Sequence, residues 1–131
     1  MQEFEIIFYE DRNGNKPVKE FLDSLDIKMR AKMILSISVV KVQGPFTRLP
    51  YSEELEDGIF ELRAKSGSNI SRVLYFFMVG RRIVLTNGFI KKTQETPRQE
   101  ILKAKRYRAD YYSRKEHKNE RWLWEIFRRT T

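Results

Sequence analysis

The chain has 131 residues, of which 40% are hydrophobic and 13% aromatic, and it carries a net charge of +8. That is one domain with a single core rather than a disordered chain. No uninterrupted apolar run reaches the roughly 18 residues of a membrane span, and the start, MQEFEIIFYEDRN, lacks the pattern of a signal peptide. The absence of cysteine excludes disulfides and thiol chemistry and suits a reducing cytoplasm. A lone histidine, His117, argues against a zinc site, and neither metal nor cofactor is expected.

The charge is unevenly placed. Residues 1–90 hold 13 Lys/Arg against 12 Asp/Glu, a balance of +1, whereas residues 91–131 hold 13 against 6, a balance of +7. Such asymmetry points to an anionic partner, whether nucleic acid, an acidic protein or a membrane surface, without choosing among them.

Phe4 to Tyr9 is a short apolar run that ends in a polar loop, which predicts a strand. Pro17 fits the first turn of a helix, and Val18, Phe21, Leu22 and Leu25 follow at helical spacing. Asp26 predicts the cap of a second helix, from Ile27 towards Gln43, which Gly44-Pro45 stops. Its second half, MILSISVVKV, is nearly apolar throughout. A strand is possible on periodicity alone, but the length between caps favours a helix buried on most sides. Residues 45–57 read as an irregular connector with an acidic cluster of Glu53, Glu54, Glu56 and Asp57.

The chain is organised around Gly58 to Lys92. Ile59–Lys65, Ile70–Val79 and Arg81–Ile90 are rich in β-branched and aromatic residues and are separated by Gly/Ser/Asn turns, which predicts a three-stranded antiparallel meander. Alternation puts Phe60 and Leu62 on one face and Glu61, Arg63 and Lys65 on the other. With Arg72 opening the second strand and Lys91-Lys92 following the third, cations gather at one end of an apolar surface, as in a phosphate-handling site. The competing reading is an ordinary solvated face. Thr96-Pro97-Arg98-Gln99 has capping-box spacing, and the helix predicted from Pro97 to about Tyr112 is basic over much of its surface. Beyond it lies a charged stretch, 113–131, whose Leu123/Phe127 and Trp122/Ile126 pairs would align if it is helical.

Lys16-Pro17-Val18 with Glu20-Phe21-Leu22, Gly58-Ile59-Phe60-Glu61-Leu62-Arg63, Arg72-Val73-Leu74-Tyr75-Phe76-Phe77, Gly88-Phe89 with Lys91-Lys92-Thr93, and Thr96-Pro97 with the Ala104–Tyr111 helix occur in a definite order. Together they resemble the phage-derived, HigB-like branch of the RelE/HigB toxin superfamily over roughly residues 4–112. The resemblance implies an α+β fold: a small twisted, mostly antiparallel sheet made of the N-terminal strand and the meander, two N-terminal helices and a basic C-terminal helix. Residues 1–112 would be the toxin domain and 113–131 an extension. It also implies a type II toxin, an endoribonuclease that cuts mRNA, commonly on the ribosome, and is neutralised by a cognate helix-turn-helix antitoxin of the HigA kind. Arg63 and Arg72 match the family's phosphate-holding strand arginines, and Lys91 and Lys92 the basic residues after the last strand.

The chemistry can be argued beside the resemblance. RNA supplies its own nucleophile, the 2′-OH. Metal-free cleavage needs a base near it, cations around the charged phosphorus centre and a proton donor for the leaving 5′-oxygen. Without paired histidines, lysines, Tyr75 or Glu61 must move protons while arginines stabilise charge. Lys65, Tyr75, Phe89 and Glu61 are thus candidates for binding or orienting RNA, although Tyr75 and Phe89 also suit a core and Glu61 could simply pair with an arginine. Some members of the family carry histidines near the catalytic strands, and this chain has none there. The rival reading is a toxin of the ParE kind, which shares the fold but inhibits DNA gyrase without cleaving RNA.

Overall fold

A computed structural model describes residues 2–130, with side chains described up to residue 114. The elements run β1 (Glu5–Phe8), α1 (Pro17–Ser24), α2 (Ile27–Gln43), a 3₁₀ turn (Gly44–Phe46), β2 (Ser52–Glu56), β3 (Ile59–Ser66), β4 (Asn69–Met78), β5 (Arg82–Lys91) and α3 (Arg98–Thr130). The five strands form one sheet in the order β1-β5-β4-β3-β2. β1 runs parallel to β5, and the other pairs are antiparallel. This is the expected α+β class, with one strand more than the sequence reading counted.

The extra strand is β2, which corrects the irregular connector. Its acidic side chains disguised it, since Glu53 and Glu54 are exposed on an edge strand where charge is tolerated. The signal that marks it is Asp57-Gly58. These two residues close the β2–β3 hairpin with φ values of 49° and 73°, the left-handed pair that a two-residue type I′ turn requires.

Alternation along the strands builds two different layers. Leu62, Ala64, Val73, Tyr75, Ile83 and Leu85 face α1 and α2 and pack with Val18, Leu22, Met29, Met33 and Val40. Ile59, Leu74, Phe76 and Val84 face the other way and pack with Tyr9 and with Ala104 of α3. α1 lies so close to β5 that a Cβ at Gly88 would stand 2.3 Å from Phe21 Cδ2.

α2 starts as expected, with the Asp26 side chain accepting from the Met29 N–H at 2.8 Å. Its burial differs from expectation. Met29, Met33, Ser36 and Val40 are buried, whereas Ile34, Leu35 and Val42 on the opposite side are about half exposed. The second half of the helix is nearly apolar throughout, but among the described residues it is covered on one side only.

α3 begins at Arg98, and the Pro97 carbonyl accepts from the Glu100 N–H at 3.0 Å. The Thr96 hydroxyl does not cap it as the capping-box spacing predicted, because it is engaged by Glu61 and Arg72 instead. The helix passes residue 112 without interruption. The readings placed on His117, Trp122, Leu123, Ile126 and Phe127 lie outside the described side chains. Among the described residues no helix is long and apolar enough to cross a membrane.

Candidate functional site

β3 and β4 set Arg63 directly opposite Arg72, and β5 sets Phe89 opposite Arg72. Two arginines in register repel unless a counter-ion lies between them. Glu61, two residues before Arg63 and therefore on the same face, fills that role. Its Oε2 accepts from Arg63 Nε at 2.8 Å, and its Oε1 lies 3.5 Å from Arg72 Nη1 and accepts from the Thr96 hydroxyl at 2.7 Å. Glu61 and Arg72 are wholly buried. An ion pair taken out of water persists only where its remaining donors and acceptors are matched, and here the segment between β5 and α3 does most of that matching.

That segment, residues 92–97, covers the arginines. Arg72 Nη2 donates to the Thr93 carbonyl and Nη1 to the Thr96 hydroxyl. Arg63 Nη1 donates to Gln94 Oε1 and Nη2 to the Gln94 carbonyl, both at 3.0 Å. From the edge strand, Glu53 approaches Arg63 Nη2 at 3.2 Å. Arg63 keeps 15% of its side-chain surface in water and Arg72 none. Burial lowers the Arg72 pKa from its ordinary value, with the Glu61 carboxylate opposing the shift. One donor, Arg72 Nε, is buried without a partner.

The lysines stand at the rim of this cluster. Lys65 and Lys91 flank Ile70 in one cross-strand row, next to the row of Arg63, Arg72 and Phe89. Lys65, Lys91 and Lys92 are all exposed. Glu61, Arg63, Lys65, Arg72, Phe89 and Lys91 therefore share one face and one end of the sheet, with Lys92 just past it. Tyr75 does not join them. It lies three residues from Arg72, an odd step that turns it to the opposite face. There it stacks on Phe60 and bonds to the Ser52 hydroxyl within the α1/α2 core. Burial raises its pKa to about 12.

The sequence marked Thr93 only as part of the Lys91-Lys92-Thr93 run and Thr96 only as a helix cap, and gave neither of them, nor Gln94, a part in the site. Only the path of the chain shows that they close over the arginines. The basic helix also proves to be partly neutralised within the molecule. Glu56 of β2 accepts from Lys105 at 2.6 Å and from Arg98, and Asp57 accepts from Arg108 at 3.0 Å. The bonds from Lys105 and Arg98 hold the Glu56 carboxyl below its usual range. Part of the excess positive charge that suggested an external partner thus meets the acidic cluster of the β2–β3 hairpin.

Beside the cluster runs an open groove of about 690 Å³ between α2, the Leu49–Tyr51 segment and the joined ends of β3 and β4. Arg63 and Gln94 lie on its wall.

The family described as phage-derived protein Gp49-like matches residues 20–109, which take in the whole cluster and its covering segment. The chain belongs to this family. Gp49-like proteins are a phage-derived, toxin-like family related to the RelE/HigB type, and membership implies a cognate antitoxin. No curated protein matches the chain.

Proposed function

We propose that this Gp49-like chain is the toxin of a type II toxin–antitoxin pair that cleaves mRNA, without metal or cofactor, on the ribosome, and that a HigA-like antitoxin neutralises it. The observation that carries the proposal is the pairing of Arg63 and Arg72 through Glu61 on the same face and end of the sheet as Lys65 and Lys91, with Lys92 next in the chain, within the region that the family spans.

In this reading the exposed lysines and the outer edge of Arg63 receive the scissile phosphate. The 2′-oxygen attacks the adjacent phosphorus and loses its proton. Charge on the equatorial oxygens is met by Arg63 and Lys91, and the P–O5′ bond breaks with a proton passing to the leaving 5′-oxygen. A 2′,3′-cyclic phosphate and a 5′-hydroxyl result. Lys91 and Lys92 are the proton carriers of choice because they are exposed, whereas the oxygens of Glu61 are already occupied by three donors. Phe89, half-buried opposite Arg72 and packed against the α3-face core, stacks on a base in this reading through its remaining exposed edge. Arg72 is a positioning residue in the closed arrangement: it holds Glu61, which in turn aims Arg63. It can touch phosphate only when residues 92–97 move away.

The test is to map mRNA ends after brief expression of wild type and of a Lys91→Ala/Lys92→Ala variant, whose exposed positions leave the fold intact by circular dichroism. New cuts within codons, present with wild type and at least about tenfold weaker in the variant, are the expected result. Purified ribosomes added in vitro then report whether they are required. Growth arrest with intact messages would overturn the nuclease and direct attention to gyrase.

A further inference from the structure

Among the described residues α2 carries a row of aliphatic side chains that are half to largely exposed. Ile27 is 82% exposed, Leu35 54% and Val42 55%, spaced along one side of the helix at seven- and eight-residue steps. The row continues past the helix end into Phe46, 78% exposed, and Leu49, 58% exposed. Leu35 and Leu49 also line the groove described above, together with Pro50, Tyr51 and Ile70. Single exposed aliphatics are ordinary, but a set of them along one side of a helix, sharing Leu35 and Leu49 with a concave groove, marks a contact surface.

The surroundings of the strip select its occupant. α2 contains Lys28, Arg30, Lys32 and Lys41 and no acidic residue, and the charged residues that line the groove are Lys32, Arg63 and Lys65. Three of these cations are already engaged on the molecule's own groups, Arg63 by Glu61, Glu53 and Gln94 as described above. Arg30 caps the α1 carbonyls of Leu22, Asp23 and Leu25, and Lys41 lies 3.5 Å from Glu3. Among the described residues Lys32 reaches a carbonyl, that of Lys65, at 2.9 Å, and Lys28 and Lys65 make no bond to an acid. A second copy of the chain would bring these cations against their own counterparts, because a two-fold interface pairs a patch with itself. RNA would gain phosphate contacts and the rings of Phe46 and Tyr51, but the aliphatic majority of the surface, Ile27, Leu35, Val42, Leu49 and Ile70, offers it no stacking face.

We propose that the α2 strip and its groove receive an amphipathic, acidic segment of a second protein, with apolar side chains on Leu35 and Leu49 and carboxylates on Lys28, Lys32 and Lys65. Because Arg63 and Gln94 form one wall of the groove, an occupant there braces the closed 92–97 segment from the side. Docking also covers Lys65 and the outer edge of Arg63, and so inhibits the site by shielding cations that receive the phosphate. The inhibitory consequence rests on the toxin reading above. The docking does not, and it is measured without RNA.

The experiment is an NMR titration of the full ¹⁵N-labelled chain with three probes. One is a synthetic peptide of about 18 residues, some five helical turns, with Leu and Glu in amphipathic order. The second is the same peptide with Lys for Glu, and the third is a short single-stranded RNA. The acidic peptide is expected to shift amides of α2 and residues 49–51 and to lose at least about tenfold in affinity with Leu35→Asp or Lys32→Glu. Val79→Asp, at an exposed position outside the strip, is expected to change nothing. Equal binding of both peptides, indifference to Leu35→Asp or no binding at all would overturn the proposal. So would RNA shifts confined to the strip, or a sedimenting dimer that Leu35→Asp disperses. If the acidic peptide binds as expected while mRNA stays intact in vivo, the docking surface stands and the nuclease falls.

Discussion

The two faces of the sheet solve opposite problems. The face under α1 and α2 is an ordinary apolar core in which the polar groups are few and matched, such as Tyr75 on Ser52 and the Ser36 hydroxyl on the Arg63 carbonyl at 2.7 Å. The face under α3 buries Glu61, Arg72, Thr86 and Asn87 among its apolar residues, and it needs the 92–97 segment to match the first two and Glu100 of α3 to match Asn87. A core made only to be stable would place aliphatic side chains there, since a well-packed apolar replacement of a buried ion pair is often neutral or stabilising. Stability therefore resides mainly in the α1/α2 face, and the α3 face gives some of it up to hold charge in a fixed geometry.

Breaking the charged face should give the largest effect. Arg72→Ala leaves Glu61 with one cationic partner in a buried site and is expected to destabilise by roughly 3–5 kcal/mol in urea unfolding. The double variant Glu61→Leu/Arg72→Met is expected to recover most of that stability while losing whatever activity the wild type shows. A loss under about 1 kcal/mol in Arg72→Ala would mean that the pair does not organise this face. The apolar face is probed at its tightest point. Gly88→Ala drives a methyl into the Phe21 ring and should destabilise by about 1–3 kcal/mol. Mild denaturation with unchanged activity per folded molecule is the expected outcome, because α1 bears on the opposite side from the arginines.

The smallest effect belongs to the far end of the α3 face, and it depends on pH. Asp110 accepts from the Tyr9 hydroxyl at 2.6 Å and pairs with Arg12 and Arg114. These bonds, that from Tyr9 foremost, lower its pKa below the ordinary carboxylate value. A carboxyl depressed in the folded state stabilises above its unfolded pKa, near 3.9, and that stabilisation is lost as pH falls through the lower folded value. Asp110→Asn should therefore be less stable than wild type at neutral pH, and the gap should close in acid. A gap that stays constant down to about pH 2 would show that the carboxylate charge is not what matters there.

Much of this could be read in the chain before any coordinates. Pro17 and Asp26 marked the helix starts, Gly44-Pro45 the end of α2, and the turns at Gly67 and Gly80 the meander. Alternation alone put Glu61, Arg63 and Lys65 on one face, because side-chain direction in a strand is a local property with a period of two. Asp57-Gly58 could equally have revealed β2 had its turn chemistry been weighed above the acidity of Glu53, Glu54 and Glu56.

Local sequence thus determined the elements, the faces of the strands and the clustering of cations at one end of the sheet. Only the tertiary structure decided that Arg72 is covered, that Tyr75 stands on the wrong face to join it, and that Arg98, Lys105 and Arg108 meet Glu56 and Asp57. It alone also showed that aliphatic side chains on one side of α2 stay about half exposed among the described residues. Each of these depends on residues far apart in the chain being brought within a few ångströms, and burial and ion pairing follow from that proximity rather than from any local pattern.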